Sequence, residues 1–497
     1  MLEEDEILWD VVEEHLDEAE FLVELWRNAR ASPAYTLHEL RDGPQSRLLA
    51  HTDGLVINGP VALDKLAWPD VSRSDDPMRL AAAALAMLDA GDFRPLDASL
   101  DDAADEPAVV HDPDMPQELL DLEALPFDED DDWDDEDEDE DDTTPTDDDA
   151  GQPDEAPPSS PRAEGLGLAI ALCEHPGIAD ELRSRCAKAQ GASLRMLLLA
   201  CADRGIDLGS DIQRGLTDSN LRVVEAAVIA AVHGDPKQWL GPVESLLRHP
   251  DAPIREAALN TALQWGSAPA WQAALYAYKD PRGAEAMVWL ACLGDDTHAT
   301  AIAGQLDDPD HRHDALWALG FSGRVSAVDA CMPWLDDDDD LTRRLAGEAV
   351  AAIVGLDPDD EGLWEPTVPD TSAVGAQGDD PRDDDDDFEA DLGLRPEDEL
   401  PLPRADAIRA RWAELRPGLS PQGRYVLGQP VDETQGPGWA LPRLSCRRLD
   451  ISARELVARS HGAVTWPGRA RTQRHLQTLD RLTQLASEPG ALRGPRR

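Results

Sequence analysis

Five stretches of this sequence repeat one another: DSNLRVVEAAVIAA at 218–231, DAPIREAALNTA at 251–262, DPRGAEAMVWLA at 280–291, DPDHRHDALWAL at 308–319 and DDDDLTRRLAGEAVAA at 337–352. Each begins in an Asp-containing turn and continues as an alanine-rich segment. Aligned on one small residue, they bring Ala226, Ala257, Ala286, Ala315 and Ala346 into register at steps of 31, 29, 29 and 31 residues. A period of about 30 residues is two helices long, and one helical hairpin cannot bury both faces until a neighbour stacks on it. The expectation is an all-α helical-repeat solenoid. The recurring alanine lets second helices of adjacent units approach closely, while Leu, Val and Trp fill the layers between. The Asp before each second helix is placed to act as its N-cap, accepting backbone N–H groups at the positive end of the helix dipole. Helical segments around Leu168 to Leu172 and Leu194 to Ala202 fall near the same period without the Asp turn, so the repeat region is read as 164–356.

Outward from the repeats the chain is electrically segmented. The formal charge is −59, from 103 acidic and 44 basic residues. Residues 101–163 carry 28 acids and one Arg, and 357–400 carry 18 acids and two Arg. Of the fifteen residues from Asp128 to Asp142, only Trp133 is not acidic. Such runs repel themselves and bury nothing, so both stretches read as acidic disordered linkers. Residues 401–497 reverse the sign, with 17 Arg against 8 acids, and read as a small Arg-rich helical module with helices over 404–415 and 450–460. Residues 1–100 read as an N-terminal helical domain. There Leu8, Val11, Val12, Leu16, Ala19, Leu22, Leu25 and Trp26 recur at helical spacing, and turns at Asp53-Gly54 and Asn58-Gly59-Pro60 precede further helices at 61–67 and 78–88.

Composition excludes several functions. Hydrophobic residues are 41% of the chain but aromatics only 5%, with Ala and Leu prominent, a balance that favours helices over strands. An acidic surface repels phosphate backbones, so no nucleic-acid partner is expected. The acidic N-terminus and the lack of any apolar run near ~18 residues argue against a signal peptide and membrane insertion, and point to the cytoplasm. Six cysteines, Cys173, Cys186, Cys201, Cys292, Cys331 and Cys446, form no C-x-x-C pair and read as buried reduced thiols.

Candidate sites are few. Leu119, Leu120, Leu122, Leu125 and Phe127 form an apolar island beside the acidic run that holds Trp133; it is either a motif that folds on a protein partner or a segment that packs back on the N-terminal domain. Imidazoles and carboxylates at Asp307, Asp308, Asp310, His311, His313 and Asp314 are ligand types for several divalent ions, but they fall in a turn whose counterparts lack His and read as solvated turn residues. No calcium loop, phosphate-cradling loop, nucleophile elbow or H-E-x-x-H is present, so neither cofactor nor catalysis is expected.

The Asp-turn helices at 218, 251, 280, 308 and 337 resemble short bacterial HEAT repeats of the D-P-x-x-x-V-R-x-A-A type, with Arg222 and Arg255 near the arginine of that pattern. The opening ILWDVVEEHLDEAEFLVELW, then SPAYTLHEL, RLLAHTDGLVINGP, the repeats and the late RYVLGQP are similar to an uncharacterised proteobacterial family of HEAT-repeat proteins often found near type VI secretion genes. That resemblance implies an accessory role there, and the long acidic tract departs from the family pattern. Arg222 and Arg255 join the apolar island as candidate partner-binding residues. The leading reading is a non-catalytic scaffold or adaptor, its flexible linkers letting the terminal domains move independently. The alternatives are an electrostatic clamp that captures a basic protein through the acidic tracts, and an enzyme built on the solenoid.

Overall fold

A computed structural model describes residues 6–103, 160–365, 395–432, 436–488 and 490–493. The apolar island from Leu119 to Phe127, Trp133 and the centres of both acidic tracts lie outside these residues. Among the described residues the fold is all-α: 69% are helical and 3% in strands. The N-terminal part contains α1 (Trp9–Ala31), α2 (Leu37–Leu40), α3 (Ser46–Ile57), α4 (Pro60–Ala62), α5 (Trp68–Arg73), α6 (Pro77–Asp89) and α7 (Arg94–Ala103). Val12, Leu16, Ala19, Leu22, Val23 and Trp26 line the buried face of α1, as the three- and four-residue spacing requires.

From residue 161 the helices alternate between two rows. One row holds α8 (Pro161–Leu172), α10 (Gly191–Asp203), α12 (Leu221–Ala231), α14 (Ala252–Gln264), α16 (Ala284–Leu293), α18 (Arg312–Ser322) and α20 (Asp340–Val354). Between them run α9 (Ile178–Cys186), α11 (Ser210–Leu216), α13 (Pro236–Ser245), α15 (Ala268–Ala277), α17 (Asp296–Ala303) and α19 (Val325–Cys331). The even row packs in sequence: α6 on α8, α8 on α10, α10 on α12, α12 on α14, α16 on α18 and α18 on α20. Between α14 and α16 the Trp289 indole donates to Asn260 Oδ1 at 2.7 Å. All five aligned alanines are buried in this row. Small residues set the spacing elsewhere too: a Cβ added to Gly215 would sit 2.6 Å from Ala227 Cβ.

The expected Asp caps hold at two of five units. Asp251 accepts from Ile254 N at 3.2 Å, and Asp339 accepts from Thr342 N at 2.9 Å. At α12 the cap is Asn220, which accepts from Arg222 N while Asp218 accepts from Asn220 N. Gly283 and His311 stand at the N-caps of α16 and α18 without a capping side chain. There the turn is one residue or more longer, and its Asp bonds the turn itself or a neighbouring imidazole instead.

The chain ends with α21 (Ala405–Leu415), a hairpin of β1 (Tyr425–Val426) and β2 (Gln429–Pro430), α22 (Cys446–Arg459) and α23 (Thr472–Ser487). α22 packs against α1, α14 and α16, and α23 against α2 and the π-helical turn at 41–45. The hairpin crosses the ends of α18 and α20, with Tyr425 N donating to Gly323 O and Leu427 N to Ala352 O, both at 2.8 Å. One apolar core runs from Ile7 through the repeats to Tyr425, Cys446 and Ala458. This corrects the expectation that terminal domains move independently. The N-terminal helices and the repeats share that core, and the C-terminal segment joins it through Ile408, Trp412, Tyr425, Cys446 and Ala458. Leu449, Ala453, Leu456 and Val457 of α22 build a second core with Leu37 and with Leu476, Leu479 and Leu482 of α23.

Candidate partner-binding groove

Arginines of the C-terminal segment meet the C-terminal ends of the even helices. The last carbonyls of a helix have no intrahelical partner and carry the negative end of its dipole, and a guanidinium offers several fixed donors to satisfy them. Arg471 donates to Leu172 O of α8, Arg459 to Cys292 O of α16 and Arg448 to Gly320 O of α18, each at 2.8 Å. Arg424 reaches Phe321 O and Ser322 O at 3.2 Å. Between Arg424 and Arg459 lies Glu455, 2% exposed, accepting from Arg424 Nη1 at 2.5 Å, Arg424 Nη2 at 2.8 Å and Arg459 Nε at 2.6 Å. Burial pushes the Glu455 carboxyl up, but the two guanidiniums outweigh it and hold the carboxyl below the usual glutamate range. Arg447 and Arg448 stack 4.1 Å from the ring centroids of Trp317 and Phe321.

Beside this seam lies a cavity of about 540 Å³ between α10, α12, α14, α22 and the turn at 466–468. It lies within the ~300–1,000 Å³ usual for ligand sites. Its walls carry both signs of charge. Arg222 pairs with Glu225 at 3.2 Å, and Asp450 with Arg30 at 3.1 Å while accepting from the Trp466 indole at 2.9 Å. Asp203 accepts from Arg469 N at 3.1 Å; burial raises its pKa, against the pull of Arg469. Burial drives the His233 imidazole down to about 4, so it lines the cavity as a neutral ring. Asp203 also forms the wall of an adjoining cavity of about 320 Å³.

Of the candidate residues, Arg222 faces this groove, whereas Arg255 does not. Arg255 turns back to donate to His249 O at 2.8 Å and Pro250 O at 2.6 Å, tying down the turn before its own helix. The Asp/His set does not converge. His311 is buried, its Nδ1 2.9 Å from Asp308 and its Nε2 3.1 Å from Asp280 O of the preceding unit, so it is an inter-unit strut and not a solvated turn residue. His313 lies 3.0 Å from Asp339 of the following unit. Among the described residues no three His, Cys, Asp or Glu side chains come together as a metal site. All six cysteines are buried and free, and burial lifts the Cys173, Cys292, Cys331 and Cys446 thiols to about 12. Among the described residues no helix is long and apolar enough to cross a membrane.

The arginine seam was missed in the sequence, where residues 401–497 read only as a small Arg-rich helical module. Its signal was present in Arg448, Glu455 and Arg459, spaced seven and four residues apart so that they share one face of α22. No family model matches the chain, and no curated protein matches it.

Proposed function

We propose that this chain is a HEAT-type helical-repeat scaffold that holds protein partners without catalysing a reaction, in the cytoplasm and as an accessory to type VI secretion. The observation that carries the reading is the mixed-charge groove between three successive even helices, α10, α12 and α14, and the α22 and 466–468 segments beside them, because consecutive units of a repeat array line one continuous binding face. The perturbed groups outside the groove support a structural use. Glu455 and the buried thiols are enclosed in packing, away from the groove. The clamp alternative would act through the acidic tracts, whose centres lie outside the described residues, whereas Arg424, Arg448, Arg459 and Arg471 are turned inward onto helix ends and Glu455.

The test is capture by the tagged full-length chain from its native cells at low and moderate salt, beside an Arg222→Ala/Asn260→Ala groove variant. Secretion-apparatus subunits retained by the wild type and lost by the variant are expected. Identical partners on both proteins, or none on either, would refute the reading.

A further inference from the structure

The even helices carry a column of carboxylates. Glu225, Glu256, Glu285 and Asp314 each stand one residue before the aligned alanines 226, 257, 286 and 315, so they hold the same position in four consecutive units. In two of these units the chain supplies the counter-ion. Glu225 receives Arg222 from its own helix at 3.2 Å, and Glu285 receives Arg454 from α22 at 3.4 Å. Asp314 faces the imidazoles of His311 and His313.

Glu256, between the two arginine-paired units, makes no hydrogen bond or ion pair with any described residue, although it is partly buried in the wall of the 540 Å³ cavity. The other lining carboxylates, Asp203, Glu225 and Asp450, all have partners. Burial raises the Glu256 carboxyl above the ordinary glutamate value, Glu285 and Glu225 push in the same direction, and Arg282 only partly opposes them. Removing solvent from a carboxylate without pairing it is unfavourable, so this position is under strain that a cation relieves.

We propose that the cavity takes the cationic side chain, Arg or Lys, of an extended segment of a partner protein, with Glu256 as its counter-ion. The neighbouring units supply the template, because the same position already receives a guanidinium on both sides. The walls suit such a guest. His233 is neutral and does not repel a cation, and the lining arginines Arg222 and Arg454 are paired with Glu225 and Glu285. The Asn260 amide nitrogen and Gln264 amide oxygen remain for the peptide backbone beside the anchor, since Asn260 Oδ1 and Gln264 Nε2 already bond Trp289 and Asn260 O. This inference rests on the scaffold reading and names the chemistry of what the scaffold holds.

The test uses the full-length protein and calorimetric titration with the blocked pentapeptide Gly-Ser-Arg-Ser-Gly, the same peptide with neutral citrulline for Arg, and arginine amide. The Arg peptide should bind about tenfold tighter than the citrulline peptide, which corresponds to ~1.4 kcal/mol. Glu256→Gln should abolish that difference, while Glu225→Gln should change it less than about threefold. The Tm of Glu256→Gln should equal or exceed that of the wild type, since the change removes a half-buried unpaired anion; a Tm several degrees lower would show an internal partner and overturn the proposal. Equal binding of Arg and citrulline peptides, or Arg-peptide binding untouched by Glu256→Gln, would also overturn it. Arginine amide binding as tightly as the peptide would make the cavity a small-molecule site and overturn the peptide assignment. Failure of both peptides to bind sinks this inference alone, because the scaffold reading is judged by partner capture with the Arg222/Asn260 variant.

Discussion

Replacing Glu455 with Gln should loosen the C-terminal segment from the repeats. Three charge-assisted hydrogen bonds converge on this carboxylate, two from Arg424 and one from Arg459, with both arginines nearly inaccessible to water. An amide keeps the volume, but it offers one acceptor and turns an NH2 donor toward a guanidinium that also donates. Leaving buried guanidiniums without their anion costs about 3–5 kcal/mol. The carbonyls of Cys292, Phe321 and Ser322 continue to accept from the arginines, which places the expected loss toward the lower end. Urea unfolding of the full chain gives the global change, and deuterium exchange reads the local one, because a chain of this size need not unfold in one step. Protection should fall first in α22 and at the ends of α16 and α18.

The pH dependence has a definite sign. The folded Glu455 pKa is depressed, so its contribution is present above the unfolded value of ~4.3 and is lost as pH falls through the folded value. The gap between wild type and variant should therefore narrow in acid. A triple change of Arg424 and Arg459 to Met with Glu455 to Leu should recover only part of the loss, since it removes the unpaired charges but also the donors to the carbonyls of Cys292, Phe321 and Ser322. A loss below about 1 kcal/mol for Glu455→Gln, with α22 exchange unchanged, would refute the claim that this network holds the segment in place.

Gly215→Ala should cost about 1–3 kcal/mol, because its methyl would meet Ala227 Cβ at 2.6 Å between α11 and α12; a neutral thermal melt would show that the units do not set this spacing. Asp251→Ala should cost about 1 kcal/mol through the lost cap on Ile254 N, whereas Asp218→Ala should cost less because Asn220 caps α12, and paired denaturant melts compare the two. Millimolar Zn2+ or Ni2+ should leave the Tm unshifted in wild type and His311→Ala alike, since both His311 nitrogens already have partners; a metal-dependent rise lost in the variant would contradict the strut assignment.

Most helices of the repeats are legible in the sequence because their causes are local. Periodic Ala, Leu and Val specify buried faces, and Asp, Ser and Pro mark the starts, as at Asp251 and Asp339. Capping at Asp218, Asp280 and Asp308 was legible only in part, because each helix's N-cap falls two or three residues after the Asp, whose carboxylate (Asp218, Asp308) or carbonyl (Asp280) bonds within its own turn. Arg255 illustrates the same limit: its position in the repeat suggests an exposed binding residue, and only the path of the preceding turn sends it to the carbonyls of His249 and Pro250.

The sequence by itself determined the helical class, the period of about 30 residues, the buried alanine column and the carboxylate column that shares its register, since each follows from spacing along one chain. The tertiary structure decided where the charges of the C-terminal segment go. Net charge is a sum that contains no positions, so an excess of arginine reads the same whether it faces water or caps helix ends. Only folding back along the even helices places Arg424, Arg448, Arg459 and Arg471 on unpaired carbonyls, pairs Glu285 with Arg454, and leaves Glu256 without an ion pair among the described residues.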